Sequence, residues 1–295
     1  MEWITKIQKA INYIEDHLMD EINYIDIAKH IYTSSYEFHR MFSFVTGMTV
    51  NTYIRNRRLS LAANDLLESN VRVIDVALKY GYETPESFTK AFSRFHGIAP
   101  KYVKENHAKL TLFNPLVIKI YIEGGRSMNY RIVQTKKQRF ISIIKSFNNE
   151  IINDENNHDV PDFWQECINN KIIDELLKLR KEGKKDLYGL CSPALEGAST
   201  FEYGIGVLID EDTLEITNEE MERLSFAYWD VIEGTYAVFE CLGIDARCIS
   251  DTWTKFYKEF LPQTGYSALD ATDYEVYFEN GREGLFCELW IPIKK

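Results

Sequence analysis

Apolar positions recur at helical spacing through the first hundred residues and at strand spacing beyond about residue 130, so the chain divides by periodicity. An amphipathic helix is predicted over roughly 3–18. Ile27, Ala28 and Ile31 then share one face, and Thr33-Ser34-Ser35 breaks the pattern with good N-cap residues. Phe38, Met41, Phe42 and Val45 follow at i, i+3, i+4 and i+7, up to a C-capping Gly47. The same grammar returns downstream. Val73, Val76 and Ala77 are apolar, Gly81-Tyr82-Glu83 turns, and Thr84-Pro85 opens a helix with Phe88, Ala91, Phe92 and Phe95 on its stripe. Gly97 and Pro100 close it, and a long helix over roughly 50–67, carrying Arg55, Arg57 and Arg58, joins the two units.

The recurrence is literal as well as periodic. Ile25-Asp26-Ile27-Ala28 returns as Ile74-Asp75-Val76-Ala77 after 49 positions, while Phe38-His39-Arg40-Met41-Phe42 returns as Phe88-Thr89-Lys90-Ala91-Phe92 after 50. Gly47 returns as Gly97, also after 50, so one extra turn residue accounts for the change of offset. A duplicated helix-turn-helix is the unit this implies. Opposite the buried stripes lie Ser35, Tyr36, His39 and Arg40 in the first copy and Glu86, Ser87, Lys90 and Arg94 in the second. An Arg fork chelates a guanine edge, Lys reaches phosphate, and Ser and His donate or accept. Two such helices on a stiff connector suit successive major grooves about 34 Å apart. That geometry removes the need for a dimer, so a monomer on double-stranded DNA is expected. Solvated helix faces would look alike in one copy; the doubling favours DNA.

Residues 106–129 hold Asn114-Pro115 and Gly124-Gly125-Arg126-Ser127 around the apolar run Leu116 to Ile122, a tether or a covering strand. The expected domains are 1–108, a linker 109–127, and 128–295. Beyond the linker an extended stretch near 130–146, a helix near 161–181 and strands near 186–192 and 201–210 are predicted. The order repeats as a strand at 231–241, a helix at 247–262 and strands at 272–279 and 284–293. Two β-α-β-β halves make a pseudo-symmetric α+β domain with a curved antiparallel sheet and a groove between halves, behind an all-α first domain. In the last strand Phe286, Glu288 and Trp290 alternate against Leu285, Cys287, Leu289 and Ile291; in the preceding strand Glu275 and Tyr277 alternate against Tyr274, Val276 and Phe278. A buried carboxylate must pair, protonate or await a cation, and aromatic neighbours favour an organic one. A solvated sheet face with Trp290 at its rim explains the same alternation.

Charge changes the picture only by its placement. The net charge of −11 is unusual for a DNA binder, yet residues 1–110 carry 14 Lys and Arg against 13 Asp and Glu, and the remainder 20 against 32. Phosphate contacts are local, so a balanced first domain suffices. The five Cys (167, 191, 241, 248 and 287) show no ligand spacing and read as reduced core thiols, and the six His form no cluster, so no metal and no cofactor are expected. Walker, dinucleotide, HExxH and GxSxG motifs are missing, so no enzyme is expected. Neither a signal peptide nor a membrane-length apolar run occurs, which places the chain in the cytoplasm.

Arg58-Leu59 with Ala62, Ile74-Asp75-Val76-Ala77, Gly81-Tyr82, Ser87-Phe88, Phe92 and Gly97-Ile98-Ala99-Pro100-Lys101-Tyr102 resemble the signature of AraC/XylS-type regulators over 3–105. The resemblance implies a seven-helix domain with two DNA-contacting helices. Arg40 matches the main base-reading Arg of the Rob-like branch; Lys90 stands where that branch has a second Arg, and a point charge does not replace a planar fork. Asp162-Phe163-Trp164, Tyr188-Gly189-Leu190, Tyr203-Gly204-Ile205-Gly206-Val207, Gly234-Thr235-Tyr236 and Glu288-Leu289-Trp290-Ile291-Pro292-Ile293 look like a GyrI-like effector domain over roughly 128–295. Its multidrug-sensing members are implied to hold two acidic residues 13 positions apart in an aromatic pocket, the spacing of Glu275 and Glu288, with Trp290 replacing a Tyr. Trp164, Tyr188, Tyr203 and Tyr236 are further wall candidates. The implied partners are DNA, a lipophilic, often cationic effector, and RNA polymerase. The alternatives are hydrolysis of an electrophile by Glu288 with Tyr188 or Tyr236, and docking of a protein on the acidic surface.

Overall fold

The computed structural model describes residues 2–68, 71–105, 109–118, 128–148, 159–181, 185–192 and 200–295. They form two compact units. One contains 2–33 and 48–122; the other contains 34–47 and 123–295, so the division falls inside the first helix-turn-helix.

The first unit is helical: α1 (Glu2–Asp16), α2 (Tyr24–His30), α4 (Val50–Glu68), α5 (Val73–Lys79), α6 (Pro85–His96) and a 3-10 turn Pro100–Tyr102. With α3 (Ser35–Thr46), six helices and a closing turn answer the expected seven. Local chemistry sets the ends of α6. Thr84 accepts from the Ser87 amide, Pro85 occupies the first turn, and Gly97 takes the left-handed conformation at φ 77°. Phe88 and Phe92 are fully buried against Leu59, Ala62, Leu66, Val76 and Tyr80, each contributing about 1.5–3 kcal/mol. Arg57 is structural rather than DNA-facing. It grips Glu15 of α1 at 2.7 Å, and Tyr53 donates to the same carboxylate at 2.6 Å. The first part of the expected linker lies along α4 within this unit: Phe113 accepts from Arg57 through its carbonyl and donates its amide to Ser60, and Leu116 donates to Tyr53. Residues 119–127 of the linker, with the Gly-Gly-Arg-Ser stretch, lie outside the described residues.

The second unit is an antiparallel sheet carrying helices. In chain order it holds β1 (Arg131–Thr135), β2 (Gln138–Asn148), α7 (Asp159–Asn169), α8 (Ile172–Lys178), β3 (Leu187–Cys191), β4 (Thr200–Leu208), α9 (Asn218–Arg223) and β5 (Phe226–Val231). Then follow β6 (Gly234–Leu242), α10 (Arg247–Lys255), a π-helical turn Phe256–Phe260, α11 (Leu261–Thr264), β7 (Ser267–Ala268), β8 (Asp273–Tyr277) and β9 (Leu285–Lys294). The strand order β1-β6-β9-β8-β3-β4-β2-β5 is a palindrome of the two halves, with β3 and β8 paired at the seam. The expected β-α-β-β duplication is therefore present. One predicted helix divides, because Lys171 adopts a left-handed φ of 60° between α7 and α8. Strand β5 was not expected; it pairs with β2 at one edge as β1 pairs with β6 at the other, and helix α9 lies between the halves ahead of it.

Candidate functional site

Directly opposed residues in an antiparallel pair point to the same face. Tyr274 opposes Trp290, Glu275 opposes Leu289, and Val276 opposes Glu288. Glu275 and Glu288 therefore occupy opposite faces of the sheet. The expected two-carboxylate pocket is not formed, because the β8–β9 register gives residues of equal parity a common face and 13 is an odd separation.

One face holds Glu288 with Trp290, Tyr188 and Tyr236. They surround a core of Phe140, Leu190, Trp229, Val238, Tyr274 and Val276. Tyr274 stacks on Trp290 with centroids 5.4 Å apart. Glu288 has its cation already: Arg131 donates to it at 2.8 Å, and the Trp290 indole adds a hydrogen bond at 3.2 Å. The Tyr236 hydroxyl donates to the Thr272 carbonyl. The acid-base pair imagined between Glu288 and Tyr236 is thus not assembled.

The other face is covered by helices and carries the seam residues Cys191, Gly189, Asp273, Glu275 and Tyr277, with Tyr203 one strand away. Glu275 is 8% exposed. Its carboxylate accepts from Tyr203 at 2.9 Å, and the Tyr203 oxygen accepts from the Trp164 indole at 3.0 Å. Burial, with the negative charge of Asp273 beside it, pushes Glu275 up to about 8, against the relief of the Tyr203 bond. Gly189 makes the arrangement possible. A Cβ there would meet the Tyr203 oxygen at 2.1 Å and the Glu275 oxygen at 2.2 Å. Trp164 also packs edge-on against Tyr277 at 5.0 Å. Of the expected effector residues, Glu275, Tyr203 and Trp164 converge here. Asp273 and Tyr277 join them and were not expected; the signal was Asp273, two residues from Glu275 on one strand and so on its face.

The unit also includes α3, lying on this helical face. Arg40 binds Asp273 through two nitrogens at 2.6 and 3.1 Å, and donates to Tyr36 at 2.7 Å. Its guanidinium lies 3.5 Å from the centroid of the Trp253 ring. The Tyr36 oxygen is 2.7 Å from Cys191 sulfur, and Phe44 stacks on Trp253 at 5.9 Å. Ser35, Tyr36, His39 and Arg40, expected to face solvent, are all buried; burial pulls His39 down to about 4, so it is neutral at physiological pH. In the second copy Glu86, Ser87, Lys90 and Arg94 are exposed along α6.

All five cysteines are free and buried. Among the described residues no group of His, Cys, Asp and Glu is arranged to hold a metal, and no helix is long and apolar enough to cross a membrane.

A duplicated helix-turn-helix ahead of a pseudo-symmetric sensor-type sheet defines a DNA-binding transcription regulator with an effector-binding domain. Comparison with known proteins agrees. Residues 131–293, more than half of the chain, match the Cass2 integron-associated effector binding protein family, and residues 27–106 match a helix-turn-helix domain family. The chain belongs to the AraC-type regulators that carry a Cass2, GyrI-like effector-binding domain. It is 44% identical over 94 residues to the HTH-type transcriptional regulator YbfP of Bacillus subtilis, a match that covers 32% of each chain. It is 37% identical over 94 residues to the HTH-type transcriptional activator AarP of Providencia stuartii, covering 32% of this chain and 70% of that one. The solved structure of SAV2435 bound to tetraphenylphosphonium is similar at 21% identity and a TM-score of 0.44, covering 57% of this chain and 94% of that one.

Proposed function

We propose that the protein is a cytoplasmic, ligand-responsive regulator in which residues 1–108 bind DNA, 109–127 connect, and 128–295 receive a lipophilic organic cation at Glu275. The observation that carries this reading is a carboxyl group on an aromatic-walled seam, with no salt-bridge partner among the described residues, pushed toward its neutral form by burial and by Asp273 and hydrogen-bonded to Tyr203, which in turn accepts from Trp164. Each aromatic face contributes roughly 0.5–2 kcal/mol to a cation seated over it. Glu288 is assigned no such role, since Arg131 already neutralises it. On the DNA side, α6 offers Glu86, Ser87, Lys90 and Arg94 to solvent, whereas Ser35, Tyr36, His39 and Arg40 of α3 reach DNA only after release from the burial described above. The chain acts as a monomer and contacts RNA polymerase from the promoter. The roles of its relatives as transcriptional regulators favour binding over catalysis.

Tryptophan fluorescence titrated with tetraphenylphosphonium tests the receptor. Glu275→Gln is expected to weaken binding at least about tenfold, ~1.4 kcal/mol, while Glu288→Gln leaves it unchanged. Equal affinity of wild type and Glu275→Gln removes Glu275 from the site. Because a bound cation favours the ionised carboxylate, wild-type affinity is also expected to rise as pH approaches 8.

A further inference from the structure

A cation already sits at one end of the seam. Two helices of the same kind, each opened by a hydroxyl cap and closed by a left-handed glycine, meet different fates: α6 shows its polar face to solvent and α3 does not. Among the described residues, Arg40 makes the one salt bridge between the buried face of α3 and the sheet. Its guanidinium is clasped by the Asp273 carboxylate, lies 3.5 Å from the centroid of the Trp253 ring, and donates to the Tyr36 hydroxyl, with Tyr257 of the π-helical turn completing the cleft. A carboxylate with aromatic faces is the chemistry that recognises a delocalised organic cation. Here a side chain of the protein supplies it.

We propose that the Asp273–Trp253–Tyr257 cleft is a cation subsite of the sensor, that Arg40 is its built-in occupant, and that an effector cation displaces Arg40 and so frees α3 for DNA. This rests on the preceding reading of the seam as a receptor and of α3 as a DNA-contacting helix. Three observations support the exchange. Asp273 and Glu275 are two residues apart on one strand face, roughly 7 Å, so a cation at Glu275 places a second positive charge beside Arg40. Both positive charges lie where solvent screening is weak, the Arg40 side chain being 9% exposed and Glu275 8% exposed. Exchange of one cation for another also leaves Asp273 paired, which avoids the heavy cost of stranding a buried carboxylate. The arginine that leaves gains water or phosphate. A ligand shifts this equilibrium by as much as it prefers the vacated cleft over the filled one, and DNA pulls in the same direction, so effector and DNA bind with positive coupling.

Hydrogen exchange on the full-length chain reads the state of α3 directly. Tetraphenylphosphonium is expected to speed amide exchange across residues 35–46, and Asp273→Asn to do so without ligand. Affinity for a mixed-sequence DNA duplex should rise in both cases by at least about fivefold. If tetraphenylphosphonium changes tryptophan fluorescence but leaves exchange in α3 and DNA affinity unaltered, the built-in occupant is refuted while the receptor stands. If it does not bind, the receptor reading fails, and the ligand-free variant decides the rest: faster α3 exchange upholds the clasp, unchanged exchange overturns it. Should Asp273→Asn fail to fold, Arg40→Gln serves through exchange alone, with protection lost if the clasp holds α3 and retained if it does not.

Discussion

Replacing Glu275 by Gln should change how stability depends on pH, and the size of the change follows from burial. The carboxyl keeps its proton to about 8 in the folded chain, whereas an unperturbed Glu releases it near 4.5. Between those values the folded state binds one proton more than the unfolded state. Stability from this group is therefore lost as pH rises through the window, with a slope of about 1.4 kcal/mol per pH unit, and is flat on either side. From about pH 5 to pH 7.5 wild type should lose roughly 3 kcal/mol more than Glu275→Gln, which keeps the shape of the side chain and cannot ionise. Urea melts of the full chain followed by tryptophan emission provide the assay, since four of the five tryptophans (Trp164, Trp229, Trp253 and Trp290) lie in the domain that carries Glu275. Other carboxylates titrate in both proteins and cancel in the difference. Parallel pH profiles for the two proteins would show that Glu275 is ionised and well solvated, and would remove the buried neutral carboxyl from the argument.

Two further outcomes are expected. Lys90→Ala, on the exposed face of α6, should weaken binding to duplex DNA evenly across sequences and lower the slope of log affinity against log salt by about 1, measured by fluorescence anisotropy at several salt concentrations. Tyr32 stands 49 positions before Gly81 and shares its left-handed backbone, φ 54° against 78°, while its side chain is exposed; Tyr32→Gly should stabilise the chain by roughly 0.5–1 kcal/mol in thermal melts, since the left-handed conformation strains any side chain.

The helices were legible because their limits are local. Ser34 and Gly47 bound α3, Thr84 and Gly97 bound α6, and each acts on the few residues beside it. The doubled β-α-β-β order was legible for the same reason. Register was not. Whether Glu275 and Glu288 share a face depends on the parity of the β8–β9 pairing, and one residue more or less in the turn between them would reverse it. Alternation within a strand was read correctly, so the pair that does share a face, Asp273 and Glu275, was available from spacing alone. The burial of Arg40 was beyond reach for a different reason. Its carboxylate lies 233 positions away, and no periodicity in α3 distinguishes a face turned to water from one turned to another part of the chain.

The seam between β3 and β8 draws its parts from both repeats. Tyr203 and Trp164 come from the earlier copy and Glu275 from the later, and they meet over Gly189, whose missing side chain leaves the room. Split into separate polypeptides, one copy would keep a hydroxyl with nothing to give its proton to, and the other an acid with no donor. Fusion of the two copies is what brings a buried acid and its donor together, and it obliges mutations on either side of the joint to be tolerated by the opposite one.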